Sequence, residues 1–475
     1  MNASQVCAPA EAHQEQLKEQ AEACFSALRA VLLQPPAVWS AADLQQIEEG
    51  CAKCCDELLA ALMGVVTQAA LDSSEMGERA QQLARSAPKR LKRADARTVG
   101  IQFQRGPKVK LRCDYYRRRP GDVLHREKGL FPAFVLLGIH THVSPGAAGQ
   151  MARCACAVGS LDEAATWLRD SSGLDVNVKT IRTVTRGFGQ RARAALPTQA
   201  QQLEAEGQGR RLVISVDGGR LRIRKDKPGA RTTKGRRRYH SEWREPLLLH
   251  IYALDENGRL DRSFNPLIDG TLGGIDALFE LLRLYLPLLI ALQPTHILLI
   301  ADGARSIWKR FDKLVADGVL GSARVIQLID FYHAVEHLSA FAEACSHYDR
   351  ARRTRWRNQT RGLLRAGKLN SVLADMDRII AAHPRNTTLK SQRNYFRRNR
   401  RRFSYAWARR LRLPIGSGPM ESAIRRVINL RLKGPGIFWH EENAEAMILI
   451  RSFYKAHRWD ELRRCACSPP LEALL

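Results

Sequence analysis

The sequence predicts an α/β fold: a three-strand meander followed by helix, strand, helix, strand, helix, with a helical insertion in that core and helical regions ahead of it. Three observations carry the prediction. Short β-branched or fully apolar runs end in Asp-Gly at Asp217 (VISVDGG) and Asp302 (HILLIADGA). An Asn-Gly step at Asn257-Gly258 separates two strand-like runs, a strong hairpin signal. Finally, 45% of the 475 residues are hydrophobic, enough to bury a large core.

Residues 1–95 are expected to be a helical N-terminal region, rich in Ala, Gln, Glu and Leu. Leu44, Ile47, Cys51, Cys54, Leu58, Ala61 and Val65 recur at alternating steps of three and four, which makes an apolar helical seam. Cys51 and Cys54 have the spacing of half a zinc site, but no second pair follows, so both thiols are assigned to the seam. Its partner is either another protomer or the preceding helix around Cys24, Phe25, Leu28 and Leu32.

Residues 96–205 follow as a basic linker and helix-turn-helix-like domain. Val99 to Phe103 has strand-like alternation, and KVKLRCDYYRRRPGD interleaves tyrosines with basic residues, either a phosphate- and base-binding segment or a solvated strand face. Ser144-Pro145 starts one helix, the capping-box sequence Ser160 to Glu163 a second, and Asn177 caps a third. With Ser171, Ser172 and Gly173 in the turn, Lys179, Arg182 and Arg186 of the third helix would face a DNA major groove.

Residues 206–475 hold the predicted sheet. Arg211 to Val216 is its first strand; Pro246 to Leu254 and Leu260 to Ile268 are the next two. A helix from about Ile275 to Leu289, the strand His296 to Ile300, a helix from about Ser306 to Ala316 and the strand Arg324 to Ile329 complete the core. The helical insertion is expected at about residues 338–414, since some 90 residues separate Asp330 from Glu421, far more than one connection needs.

Charge narrows the function. With 76 Lys+Arg against 48 Asp+Glu the formal net charge is +28, which makes nucleic acid the expected partner. The longest apolar stretch, LLRLYLPLLIAL, is broken by Arg283 and Pro287 and falls short of a membrane span. No charged n-region with an apolar core opens the chain, so a cytoplasmic, nucleoid-associated protein is expected. Its 11 cysteines are then reduced thiols or metal ligands rather than a disulfide framework. Two basic runs are expected to grip DNA: 220–238, read as a mobile loop with Arg236, Arg237 and Arg238, and the insertion with Arg397, Arg398, Arg400 and Arg401. Arg425 and Arg426, one turn beyond Glu421, would face the same substrate.

Four motifs stand in order: VDGG with Asp217, ADGA with Asp302, DFYH with Asp330 and His333, and GSGPMES with Glu421. Together they resemble bacterial insertion-sequence transposases of the DDE class. The Asp-x-x-His element is similar to that of the Mutator-related branch, and the arrangement to Kra-type insertion sequences. The resemblance implies a ribonuclease H-like core whose first strand lies parallel and adjacent to the fourth. It implies that Asp217, Asp302 and Glu421 hold Mg²⁺ (or Mn²⁺), with Asp217 bridging two ions for in-line phosphodiester displacement. It also implies cleavage of terminal inverted repeats and strand transfer into target DNA, by a homodimer or higher oligomer on double-stranded DNA. Asp330 either caps a helix or positions His333 to donate near the scissile phosphate. The alternatives are a decayed or domesticated binding protein without turnover, and a structure-selective nuclease of the same fold.

Overall fold

The computed structural model describes residues 4–32, 39–87, 91–118, 129–200, 209–233, 235 and 237–470. They belong to two compact units, Met1–Ala195 with Arg463–Leu475, and Leu196–Leu462. The regions expected at 1–95 and 96–205 thus share one unit, and the chain from Arg463 onward joins them rather than the sheet.

The first unit contains helices α1 (Ser4–Leu32), α2 (Ala41–Asp72) and α3 (Ser74–Ser86) and an antiparallel pair, β1 (Leu91–Ile101) and β2 (Val109–Arg118). These elements share one core, with Leu17, Ala60, Ala80, Ile101 and Leu111 buried together, which is why no boundary falls near residue 95. Gly64 lets α2 close on β2: a Cβ there would stand 2.6 Å from Val109 Cγ1. The cysteine seam of α2 packs on α1, the intrachain alternative, with Cys24 near Cys54. Phe25 is exposed and lies off the seam, and the side chains of Leu28 and Leu32 lie outside the described residues. Among the described residues α2 is the one helix long and apolar enough to cross a membrane. It has the contacts of a helix folded on protein, including a 2.7 Å ion pair from Asp56 to Arg105.

The same unit continues with α4 (Pro132–Leu136), α5 (Pro145–Ala157), α6 (Leu161–Ser172) and α7, Val178–Gln199, whose residues from Leu196 belong to the second unit. The expected caps are present: Ser144 accepts from the Ala147 N–H, Ser160 from the Glu163 N–H, and Asn177 from the Thr180 N–H at 2.9 Å. The reciprocal half of the Ser160 box differs, because the Glu163 carboxylate takes the N–H of Gly159. Gly173, at φ 64°, supplies the left-handed residue that ends α6.

The second unit is α/β. Its strands are β3 (Arg211–Gly218), β4 (Leu221–Asp226), β5 (Tyr239–Arg244), β6 (Leu247–Leu254), β7 (Leu267–Thr271), β8 (His296–Ala301) and β9 (Arg324–Ile329), with α8 (Gly274–Ala291) and α9 (Arg305–Ala316) between the last three. Five of them form one mixed sheet in the order β7-β6-β3-β8-β9, with β3 antiparallel to β6 and parallel to β8. Buried runs such as Leu212 to Ile214 and Ile297 to Ala301 fill its centre, as expected for strands covered on both faces. Helices α10 (Phe331–Ala344), α11 (Arg350–Arg365), α12 (Leu369–Ala382), α13 (Thr387–Arg398) and α14 (Tyr405–Arg410) form the insertion, followed by α15 (Gly418–Ile424) and α16 (Glu441–Lys455), while α17 (Trp459–Cys467) begins in this unit and ends in the first.

Two expectations need correction. The strand expected over Leu260 to Ile268 is β7, Leu267–Thr271; Leu260 makes one isolated bridge to Leu254. Asp255 and Asp261 turn the chain instead, their carboxylates accepting backbone N–H bonds from Asn257 and Ser263. The run 220–238, expected to be a mobile loop, begins as the ordered strand β4 and pairs with β5, because Leu221 and Ile223 alternate into the core between Arg222 and Arg224.

A candidate acidic site at the carboxyl ends of the parallel strands

Strands β3 and β8 run in register, Val216 beside Ala301, so Asp217 and Asp302 are the next residues out on neighbouring strands about 4.8 Å apart. Asp217 accepts the Gly218 N–H at 2.7 Å. Burial pushes its carboxyl up to about 6; the Gly218 hydrogen bond opposes this, and the negative charge of Asp302 adds to it. His333 pulls the other way and Glu245 raises it further. The pair therefore repels itself, a state that a cation relieves.

Asp302 shapes its own turn by accepting the Ala304 N–H at 2.9 Å. Its neighbour Gly303 has to be glycine, since a Cβ would stand 2.0 Å from the Tyr395 ring. Tyr395, on α13 of the insertion, is 5% exposed and stacks on His337 at 3.6 Å. Its buried hydroxyl has no hydrogen-bond partner among the described residues, and burial, then the charges of Asp302 and Asp330, holds its ionisation far above the usual phenol range.

Asp330 is buried at the end of β9 and caps α10. One carboxylate oxygen accepts the His333 N–H at 2.9 Å and the other the Ser417 N–H. Of the two alternatives for Asp330, the helix cap is present, and its bond is to the His333 backbone rather than to the ring. The ring is half-exposed, with Nδ1 3.3 Å from the Glu336 carboxylate.

Glu421 lies on α15, after the insertion. It is exposed in the first turn of α15, which packs on β3, and among the described residues no three His, Cys, Asp or Glu gather closely enough to hold a metal. The turn after it is π-helical, Arg425–Asn429, with Arg425 exposed and Arg426 bonded to the carbonyls of Ser422 and Lys455.

The other basic residues lie as follows. Lys179 and Arg182 are exposed on α7, and Arg186 is half-buried. Arg237 and Arg238 are exposed, while Arg236 lies outside the described residues. Arg397, Arg398, Arg400 and Arg401 are all exposed, Arg397 paired with Asp377 at 2.8 Å and Arg400 bonded to Asn370 at 2.9 Å. Sequence reasoning missed Glu245 and Tyr395, which belong to no motif. It also missed the β4–β5 hairpin, whose Leu-Arg-Ile-Arg alternation was available but was read as a charge run.

The donors suit a hard divalent cation. Carboxylate oxygens are its preferred ligands, and Mg²⁺ is commonly held by one or two carboxylates while keeping waters and substrate phosphates. Two acids at adjacent strand exits inside a strongly basic chain thus form a candidate site for a cation and a polyanion. Comparison of this chain with protein-family models and with curated proteins gives no match.

Proposed function

We propose that this chain is a DNA transposase of the DDE class, with a ribonuclease H-like core that cleaves transposon ends and joins them to target DNA. The register that sets Asp217 beside Asp302 carries the proposal, and the strand order β7-β6-β3-β8-β9 supports it. Asp217 and Asp302 would hold Mg²⁺ or Mn²⁺, which supplies Lewis-acid activation of the attacking oxygen and stabilises the leaving one. The raised proton affinity of Asp217 falls when a cation neutralises the pair, so metal and proton compete for Asp217. His333, half-exposed beside the Glu336 carboxylate, would hold a proton near a bound phosphate. Glu421 would complete the set from α15, and π-turns such as the one that follows it are frequent at functional sites.

The test is cleavage of a plasmid carrying the DNA that flanks the gene, in Mg²⁺ or Mn²⁺. Asp217→Asn and Asp302→Asn are expected to abolish strand cleavage while duplex binding persists, because binding rests on the Lys/Arg surface. Cleavage by Asp217→Asn at more than a few percent of the parent rate overturns the assignment. A binding protein without turnover is the second reading, favoured by one observation, that among the described residues no three His, Cys, Asp or Glu form a metal-holding group. In that case the parent chain binds the flanking DNA and never cuts it.

A further inference from the structure

The hairpin that follows Asp217 carries a layered surface outside the acidic site. On its outer face Arg222 stands opposite Trp243, Arg224 opposite Ser241 and Asp226 opposite Tyr239. The Arg222 guanidinium lies 5.5 Å from the Trp243 ring and 4.5 Å from that of Phe438; Arg224 lies 4.4 Å from Tyr239. Tyr239 meets Phe438 edge-on at 5.6 Å, which closes a ladder of alternating aromatic and guanidinium planes. Trp243 is 57% exposed and Tyr239 41%, so both rings keep area open to solvent.

Charge says what such a face takes. From Arg220 to Arg244 the sequence has eleven Lys and Arg against Asp226 and Glu242. Both acids are already paired, Asp226 with Arg224 and Glu242 with Lys225 and Arg244. An anionic partner with flat apolar faces fits, and a nucleotide strand has both. In a duplex the base faces are covered by their neighbours, so stacking on Trp243 and Tyr239 needs an unpaired strand. Leu221 is the fourth residue after Asp217, which places the start of the hairpin within about 14 Å of Asp217.

We propose that the outer face of the β4–β5 hairpin binds unpaired DNA, stacking bases on Trp243 and Tyr239 while the flanking arginines take phosphates. The inference rests on the proposed DNA cleavage only for its choice of polymer. The test uses the full chain in a chelator, so that nothing is cut, with a fluorescent oligothymidylate of about 12 nucleotides and an abasic strand of equal length and charge. The parent is expected to hold the base-bearing strand about 10-fold more tightly than the abasic one, and the double variant Trp243→Ala, Tyr239→Ala is expected to bind both alike. Replacing both with Phe should keep the difference.

Equal affinity of the parent for the two strands overturns the proposal without reference to any variant, as does an alanine variant that keeps the preference. Tighter binding of a duplex, or of oligouridylate, than of oligothymidylate also overturns it. Cleavage is scored separately in Mg²⁺. A chain that never cuts yet prefers the base-bearing strand defeats the proposed function and leaves this inference standing; one that cuts but binds both strands alike does the reverse.

Discussion

At Asp217 a single carboxyl links proton, metal and stability. Its folded value of about 6 lies above the usual aspartate value near 4. The folded chain therefore binds more protons than the unfolded chain between about pH 4 and 6, and stability falls as pH rises through that window. Above about pH 6 the full penalty applies, on the order of 2–3 kcal/mol. Asp217→Asn is expected to recover much of that above about pH 6 and nothing below about pH 4, in thermal unfolding followed across this range. Mn²⁺ should raise the melting temperature of the parent above pH 6 and leave that of Asp217→Asn unchanged. A metal shift of equal size in the two proteins would show that the ion binds elsewhere.

Elements are tied together by buried polar groups more than by their own propensities, and Asp330 is the clearest case. It ends β9, caps α10 and accepts the Ser417 N–H ahead of α15, while the adjacent Phe331 N–H reaches the Ile415 carbonyl at 2.8 Å. Asp330→Ala orphans two donors and is expected to cost about 2–4 kcal/mol. His333→Ala, which removes a half-exposed ring, should cost less than about 0.5 kcal/mol. Chemical unfolding of both variants checks this, and the reverse ranking would move the structural role to His333.

The same distinction governs what the sequence discloses. Helix starts at Ser144, Ser160 and Asn177 and the strands ending at Asp217, Asp302 and Asp330 were legible because each depends on neighbouring residues alone. The second strand of the 255–258 turn was misplaced because Asp261 offers its chain a tighter local turn than the ladder does. Glu245 and Tyr395 were invisible because tertiary packing, not spacing, brings them to the acids.

For the whole molecule, a charge of +28 sets affinity for any polyanion and makes it salt-dependent. The arginines of the insertion should not contribute equally. Arg397 and Arg400 already have protein partners, whereas Arg398 and Arg401 are exposed with no hydrogen bond among the described residues. Replacing Arg398 and Arg401 with Ala is expected to flatten the log–log salt dependence of duplex binding by up to about 0.9 per lost phosphate contact. Arg397→Ala should change the slope less, and fluorescence anisotropy at several salt concentrations measures both.

The partition of the chain also orders its birth on the ribosome. Every residue of the sheet-bearing unit precedes Arg463, whereas the basic N-terminal unit takes in the residues from 463 onward, where the Ala466 carbonyl accepts from Arg191. At about 5–20 residues per second, translation delivers the entire sheet-bearing unit before the N-terminal unit has its last segment. The first unit to begin is thus the last to close. A premature stop just before Arg463 would leave the sheet intact and strike the amino-terminal unit, more than 250 residues upstream in sequence.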